Sequence, residues 1–278
     1  MSDKTPIINA SEHAWVINDT AFPIVPEISV CPKGDPKSAY SGEHLLAEMK
    51  VHGIDKTVIS HVCYYGRIND YTVHCVRNYP DKLAGFGLLV GHRLYAPGDP
   101  KNPERLWKLM KEDGLSGLRI SPIYDRDRVW FNDPEVYPLW EKAQALNATF
   151  NIFLGPEQIP QVADMAQRFP GVNVVIDHMA MINIGRPDSE GIDPLCGLAR
   201  YPNVYARTSL HNPSREQMPY RDVWPYLRRL YDAFGPQRLV YANFFEFLIM
   251  KDMIPFFTEE DKAWILGKTA DRLYFQNR

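Results

Sequence analysis

Short runs rich in β-branched and aromatic residues recur along this 278-residue chain, and longer stretches with apolar residues at helical spacing separate them. Residues 7–13, 57–62, 84–90, 116–120, 149–154, 173–177, 204–208 and 238–242 read as strands. Leu45, Leu46 and Met49 mark a helix that His52-Gly53 should stop. Leu106, Trp107 and Met110 mark another, ending before Asp113-Gly114. Asp133-Pro134 and Pro156 each open an amphipathic stretch, and residues 224–234 carry an apolar stripe closed by Gly235-Pro236. Eight such alternations predict a single (β/α)8 TIM barrel in class α/β, with residues 1–278 as one domain. An open doubly wound sheet is the competing architecture. No Gly-x-Gly-x-x-Gly follows the first strand and no Walker motif occurs, so its nucleotide-binding forms lose support.

Composition narrows the function classes. The net charge is −3, hydrophobic residues make up 45%, and no basic run suggests a nucleic-acid partner. No apolar stretch reaches the roughly 18 residues of a membrane span, and Met1-Ser2-Asp3-Lys4 lacks the apolar core of a signal peptide. Cys31, Cys63, Cys75 and Cys196 have no metal or disulfide spacing, which suits reduced thiols in a cytoplasmic protein. The expected partner is a small-molecule substrate, with a homo-oligomer left open.

In a barrel, polar residues at the C-terminal ends of strands face the site. His13 follows Ser11-Glu12 at the end of the first strand, and His178 follows the apolar run Val174-Val175-Ile176. Either imidazole can accept and return a proton near neutrality. Alternation puts Ser11 and His13 on one face and Glu12 on the other. Ser11 lacks a nucleophile elbow and reads as a small polar filler of the cavity. Arg119 ends strand 4 and Arg207 ends strand 7. Each is either a clamp for a substrate carboxylate or half of an internal ion pair, with Asp177 or Glu246 as the partner. Tyr64, Asn69 and Asn243 could wall the pocket or donate to an oxyanion. His61 divides between core and site, and His211 lies in the loop after strand 7. His44, His52, His74 and His92 read as surface residues. The Pro- and Gly-bearing segment 18–40 after strand 1 is placed to cover the mouth.

Several segments resemble amidohydrolase family 2, in particular its lactonase-like branch. The first strand Ile7-Ile-Asn-Ala-Ser-Glu-His13 is similar to the family's metal motif with Ser11 in place of the first ligand. Gly117-Leu118-Arg119-Ile120-Ser121-Pro122 resembles its strand 4, and Phe169-Pro170 through Asp177-His178-Met179-Ala180 resembles its strand 6. Ala233-Phe234-Gly235-Pro236 through Tyr241 resembles its approach to strand 8, and Trp264-Ile265-Leu266-Gly267 its last helix. The branch includes hydrolases of sugar lactones and of carboxylated ring lactones, and wider relatives include non-oxidative decarboxylases. The family's metal-ligating Asp after strand 8 is here Phe244, and strand 5 has no His. Of the metal set His13 and His178 remain, short of the three protein ligands that catalytic zinc takes. Glu246 or Glu12 would have to supply a third; Glu12 is disfavoured because alternation turns it away from His13.

The resulting expectation is a metal-independent, cofactor-free hydrolase of a small, lactone-like, anionic or oxygen-rich ring. His13 and His178 move protons, aided by Tyr64. Ser11, Arg119, Arg207, Asn69, Asn243, Glu246 and His61 contact substrate. The alternatives are a lyase, decarboxylase or isomerase on the same scaffold, or an inactive small-molecule-binding homologue.

Overall fold

A computed structural model describes residues 5–31, 34–91, 94–125, 129–185 and 191–276. Eight parallel strands follow one another in chain order: β1 (Ile8–Glu12), β2 (Lys56–Ser60), β3 (Leu83–Leu88), β4 (Gly117–Ile120), β5 (Thr149–Ile152), β6 (Asn173–Ile176), β7 (Val204–Thr208) and β8 (Leu239–Tyr241). β8 comes back against β1, and the Asn243 amide donates to Asn9 Oδ1 at 2.9 Å across that seam. The helices are α1 (Gly42–His52), α2 (Asp70–Asn78), α3 (Asn102–Lys111), α4 (Tyr137–Ala145), α5 (Ile159–Arg168), α6 (Ile192–Gly197), α7 (Trp224–Phe234), α8 (Glu259–Ala263) and α9 (Thr269–Tyr274). This is the expected (β/α)8 barrel.

Local chemistry explains the punctuation. Ser41 caps α1, and Gly53 ends it at φ 68°, a left-handed conformation that glycine adopts without steric cost. Pro134 and Pro156 open single 3₁₀ turns that run into α4 and α5. Gly117 starts β4 at φ 149°, where a Cβ would sit 1.9 Å from Thr149 O, so only glycine lets β4 and β5 approach. Between barrel and helices, the buried Trp140 ring meets Phe150 at 5.0 Å, Phe131 at 5.5 Å and Phe169 at 5.7 Å. Truncating such a ring typically costs about 3–5 kcal/mol.

Inside the barrel the layers differ in chemistry. The lower layer is apolar: Ile8, Ala10, Val58, Phe86, Val175 and Val240 pack with Leu273 and Tyr274 of α9. α9 closes this end, with Ser116 Oγ and Thr149 Oγ1 donating to the carbonyls of Tyr274 and Leu273 and Tyr274 donating to Asn151 Oδ1 at 2.6 Å. Two residues further along β6 and β7 the inward positions become polar. Val175 gives way to Asp177 and Tyr205 to Arg207, both by the two-residue period of a strand.

β1 departs from that period. Ile8 pairs with Lys56 and Asn9 with Thr57, but Glu12 pairs with Ile59, so β1 carries an irregularity that adds one residue. Ile8 and Ala10 belong to the interior cluster. Strict alternation would then turn His13 outward; the bulge rephases the strand and sets His13 beside Ser60.

Candidate active site

The polar layer encloses a cavity of about 50 Å³ at the C-terminal ends of the strands. His13 and His178 both line it, from the ends of β1 and β6. His13 Nδ1 lies 2.7 Å from Ser60 O. A carbonyl only accepts, so Nδ1 carries the hydrogen and Nε2 keeps its lone pair. Burial lowers the His13 pKa to about 4, helped by Arg119 and Arg207 and opposed by the Ser60 bond.

His178 does not continue β6. It begins a run of four left-handed residues, with φ of 48° at His178, 50° at Met179, 54° at Ala180 and 52° at Met181. Left-handed backbone costs L-residues roughly 1–2 kcal/mol each. Complete burial of Met179 and Ala180 offsets part of that. The turn holds the His178 ring edge-on to Phe153, at 5.5 Å. Its Nδ1 is 3.0 Å from Ser209 Oγ and 2.8 Å from Asn212 Nδ2. Burial first, then Arg207 and Arg119, keep its pKa well below the ordinary histidine value.

Arg207 and Asp177 form an ion pair at 2.8 Å, each side chain 2% exposed. Of the two partners expected for Arg207, Asp177 is the one found. Burial raises the Asp177 pKa against the pull of Arg207 and Arg119. Asp177 Oδ1 and Arg207 Nε and Nη1 are buried without a partner. Arg119 lines the same cavity and forms no ion pair among the described residues. Its guanidinium stands 5.7 Å from the Phe153 ring centre, and its Nε is buried without a partner. A second hollow of about 20 Å³ shares Arg119, with Val30, Leu88, Val90 and Ser121 among its lining residues. Arg119 thus stands between a polar chamber and a mostly apolar one. Val30 belongs to the segment expected to cover the mouth, and its amide donates to Cys63 O at 3.0 Å. Ser11 and Asn243 also line the polar chamber, and Asn243 Nδ2 is unpartnered.

Glu12 lines the cavity as well, contrary to the alternation argument. Its Oε1 accepts from Asn9 Nδ2 at 3.0 Å and from the Phe244 amide at 3.2 Å. Burial raises its pKa.

Four expected contacts lie elsewhere. His61 is fully buried, with Nδ1 2.8 Å from Thr72 Oγ1 and Nε2 3.0 Å from Gly66 O. It joins β2 to the start of α2, and burial lowers its pKa to about 3. Asn69 ties off β3: its Oδ1 accepts from the Leu88 amide and its Nδ2 donates to Leu88 O and Arg67 O. Tyr64 packs against Trp15 with ring centres 5.5 Å apart, outside the polar chamber. Glu246 is completely buried under the loop after β7, where its carboxylate accepts from the Leu210 and His211 amides and from His211 Nδ1 at 2.5 Å. Strand parity does not place the loop side chains of Tyr64, Asn69 and Glu246, and His61 takes the core alternative of its two readings. His44 and His74 are exposed and His52 is partly so; His92 lies outside the described residues. Sequence reasoning missed Ser60, Ser209 and Asn212 at the site. Ser60 had a signal, since it shares its strand face with the inward Val58.

The donor set does not fit a divalent metal. No group of three or more His, Cys, Asp or Glu side chains able to hold one occurs among the described residues. Ser11 and Phe244 stand at two ligand positions of the resemblance, Asp177 is engaged with Arg207, and two guanidinium groups line the same cavity. A groove of about 750 Å³ lies outside the barrel between α2 and α3. Its Arg77 and Arg105 are paired with Asp113 and Asp99. Converging unpartnered polar atoms favour the small chamber as the site.

Among curated proteins, the L-fucono-1,5-lactonase of Burkholderia ambifaria is 29% identical over 147 residues, or 51% of this chain. The match spans only about half of that relative, 49% of its length. A probable 2-pyrone-4,6-dicarboxylic acid hydrolase from Acinetobacter baumannii, crystallised with citric acid, superposes with a TM-score of 0.77 at 15% identity, covering 96% of this chain and 98% of that one. A dihydroxybenzoic acid decarboxylase from Polaromonas sp. JS666, holding manganese and an inhibitor, gives 0.65 at 17% identity, with 99% and 98% covered. These two likenesses are of fold. No described helix is long and apolar enough to cross a membrane. The family model for amidohydrolases matches residues 32–276, nearly the whole barrel, and the chain belongs to that family.

Proposed function

We propose that this protein is a lactonase that opens a small carboxylated lactone by adding water to its carbonyl, without a divalent metal. One observation carries the reading: two imidazoles share a cavity with an Arg119 guanidinium that has no carboxylate partner among the described residues. The half-length likeness to a sugar lactonase supports lactone chemistry. The donor set supports a reaction that does not use a metal ion.

His13 Nε2 takes a proton from water as the water oxygen bonds to the carbonyl carbon. The carbonyl oxygen becomes an oxyanion, and the unpartnered Asn243 Nδ2 and N–H groups of Arg207 face the developing charge. The ring C–O bond then breaks, and the ring oxygen takes the proton back from His13. The product is a hydroxy acid, which releases its acid proton to solvent. Arg119 holds the substituent carboxylate, whose planar geometry its fork matches. The apolar hollow beyond Arg119 accepts the rest of the ring substituent.

The test is a lactone panel, with and without a ring carboxylate, assayed after dialysis against a strong chelator. Faster opening of the carboxylated members, with one oxygen from labelled water in the product, is expected. Activity lost to chelator and restored by zinc or manganese would remove metal independence. Release of CO₂ without ring opening would make the protein a decarboxylase.

A further inference from the structure

Ser121 stands one residue past β4 and two after Arg119, and both border the smaller hollow. Ser121 is 8% exposed. Its Oγ is buried without a hydrogen-bond partner, as is Arg119 Nε. A serine just before a helical turn ordinarily spends its hydroxyl on a backbone N–H of that turn. Ser121 holds that position before the 3₁₀ turn Pro122–Tyr124, yet its side chain makes no such bond. Its backbone is fixed all the same. The Tyr124 amide donates to Ser121 O at 3.3 Å, and Gln158 Nε2 donates to the Pro122 carbonyl at 2.8 Å. A buried hydroxyl held in place with nothing to bond destabilises the free protein, and a ligand atom that supplies the partner removes that penalty.

The rest of the hollow defines that atom. Val30, Leu88, Val90 and Leu94 make most of its wall apolar. Its space of about 20 Å³ holds roughly one water-sized group. The two buried, unpartnered donors in its lining are the Arg119 Nε–H, which can only donate, and the Ser121 hydroxyl. An oxygen that accepts from both is the match, and a guanidinium beside it favours a charged one. Carboxylates meet guanidinium groups through two parallel N–H···O bonds. We infer that Ser121 is a specificity-determining residue: its hydroxyl and Arg119 Nε–H bind one oxygen of the substrate carboxylate in the hollow, while the other oxygen meets Arg119 on the chamber side. The part of the substituent that enters the hollow is thereby one of its oxygens. The inference takes the carboxylated substrate from the lactonase reading; the carboxylate site itself does not depend on the reaction.

The experiment is calorimetric titration of the full chain with glutarate, a dicarboxylate that has no bond to hydrolyse. Wild type should bind it. Ser121→Ala should weaken that binding by about ten- to a hundredfold, the range for one hydrogen bond to a charged group. The same variant should unfold in urea no earlier than wild type, because no bond within the fold is lost with the hydroxyl. Glutarate binding unmoved in Ser121→Ala, or no binding by wild type at millimolar concentration, overturns the inference. A lower unfolding midpoint with unmoved binding overturns it too, and makes Ser121 a structural residue. Kinetics on a matched pair of lactones, with and without a ring carboxylate, separate the two readings. In Ser121→Ala the preference for the carboxylated member should fall by a similar factor. Weakened glutarate binding in a protein that opens no lactone leaves the carboxylate site intact and removes the lactonase. Lactone turnover with glutarate binding and preference both unmoved removes the role of Ser121 alone.

Discussion

The Arg207 guanidinium and the Asp177 carboxylate meet at 2.8 Å, both at 2% exposure, on neighbouring strand ends. Sequence reasoning allowed Arg207 to be a free clamp or an ion-pair member; the geometry gives it the pair and leaves Arg119 without an ion pair among the described residues. Breaking a buried pair from one side leaves a charge without water or partner, typically at a cost of about 3–5 kcal/mol. Arg207→Ala should therefore lower stability by that order, read as a shift of the urea unfolding midpoint at constant slope. A variant as stable as wild type would show that the pair contributes nothing to the fold.

Arg119 offers the complementary case. It forms no ion pair among the described residues, so Arg119→Met should leave the unfolding midpoint within about 1 kcal/mol of wild type. It should raise KM for a carboxylated lactone by roughly tenfold or more, with less effect on kcat. A matched lactone without the carboxylate should be nearly indifferent. Equal losses on both substrates would mean that Arg119 acts on the carbonyl and not on the substituent.

As the proposed base, His13 should set the acid limb of the reaction. Its pKa of about 4 means the imidazole is already a base at any pH well above that value. The kcat/KM profile should hold from neutrality to near pH 5 and fall around pH 4, with no inflection near the ordinary 6.5. His13→Gln should lower kcat by about 10²–10⁴-fold at pH 7. An inflection at 6.5 that survives in wild type would assign the base elsewhere.

Buried histidines also tilt stability with pH. His61 titrates at about 3 and His13 at about 4 in the folded chain, below the unfolded value near 6.5. The unfolded chain then binds more protons, so stability drops as pH falls from about 6.5, and their contribution to the decline ends near pH 3. Glu12 and Asp177 have raised pKa values and act in the opposite sense: their contribution is present at low pH and lost as pH rises through the folded values. Replacing His61 by Gln should remove about one proton from the slope of stability against pH between 4 and 6.5. An unchanged slope would mean His61 is not buried neutral.

What could be read from the chain follows the reach of local rules. The strand periods other than that of β1, the Pro-opened helices and the Gly53 stop depend on neighbours in sequence, and they appear in the fold. His13, His178, Arg119 and Arg207 were legible because strand ends in a barrel converge by topology. Their partners were less so. The β1 bulge has no signature in Ile-Asn-Ala-Ser-Glu, yet it decides which way His13 and Glu12 face. The left-handed turn at His178 contains no glycine or asparagine that would announce it. Glu246 and His61 were read as substrate contacts because their types suit a site; loop geometry and the core around α2 claim them instead.

The floor of the barrel carries one more implication. With α9 packed against β5 and the residue preceding β4, the floor of the barrel offers a product no way out, so the proposed product should leave by the way its substrate came. A ring-opened product keeps the carboxylate that Arg119 would grip and gains a second one, and its departure has to precede the next arrival. Inhibition by accumulated product, competitive with substrate and relieved in Arg119→Met, is the traffic pattern that a one-door vessel imposes. Progress curves that stay linear in the presence of added hydroxy acid would point to another exit.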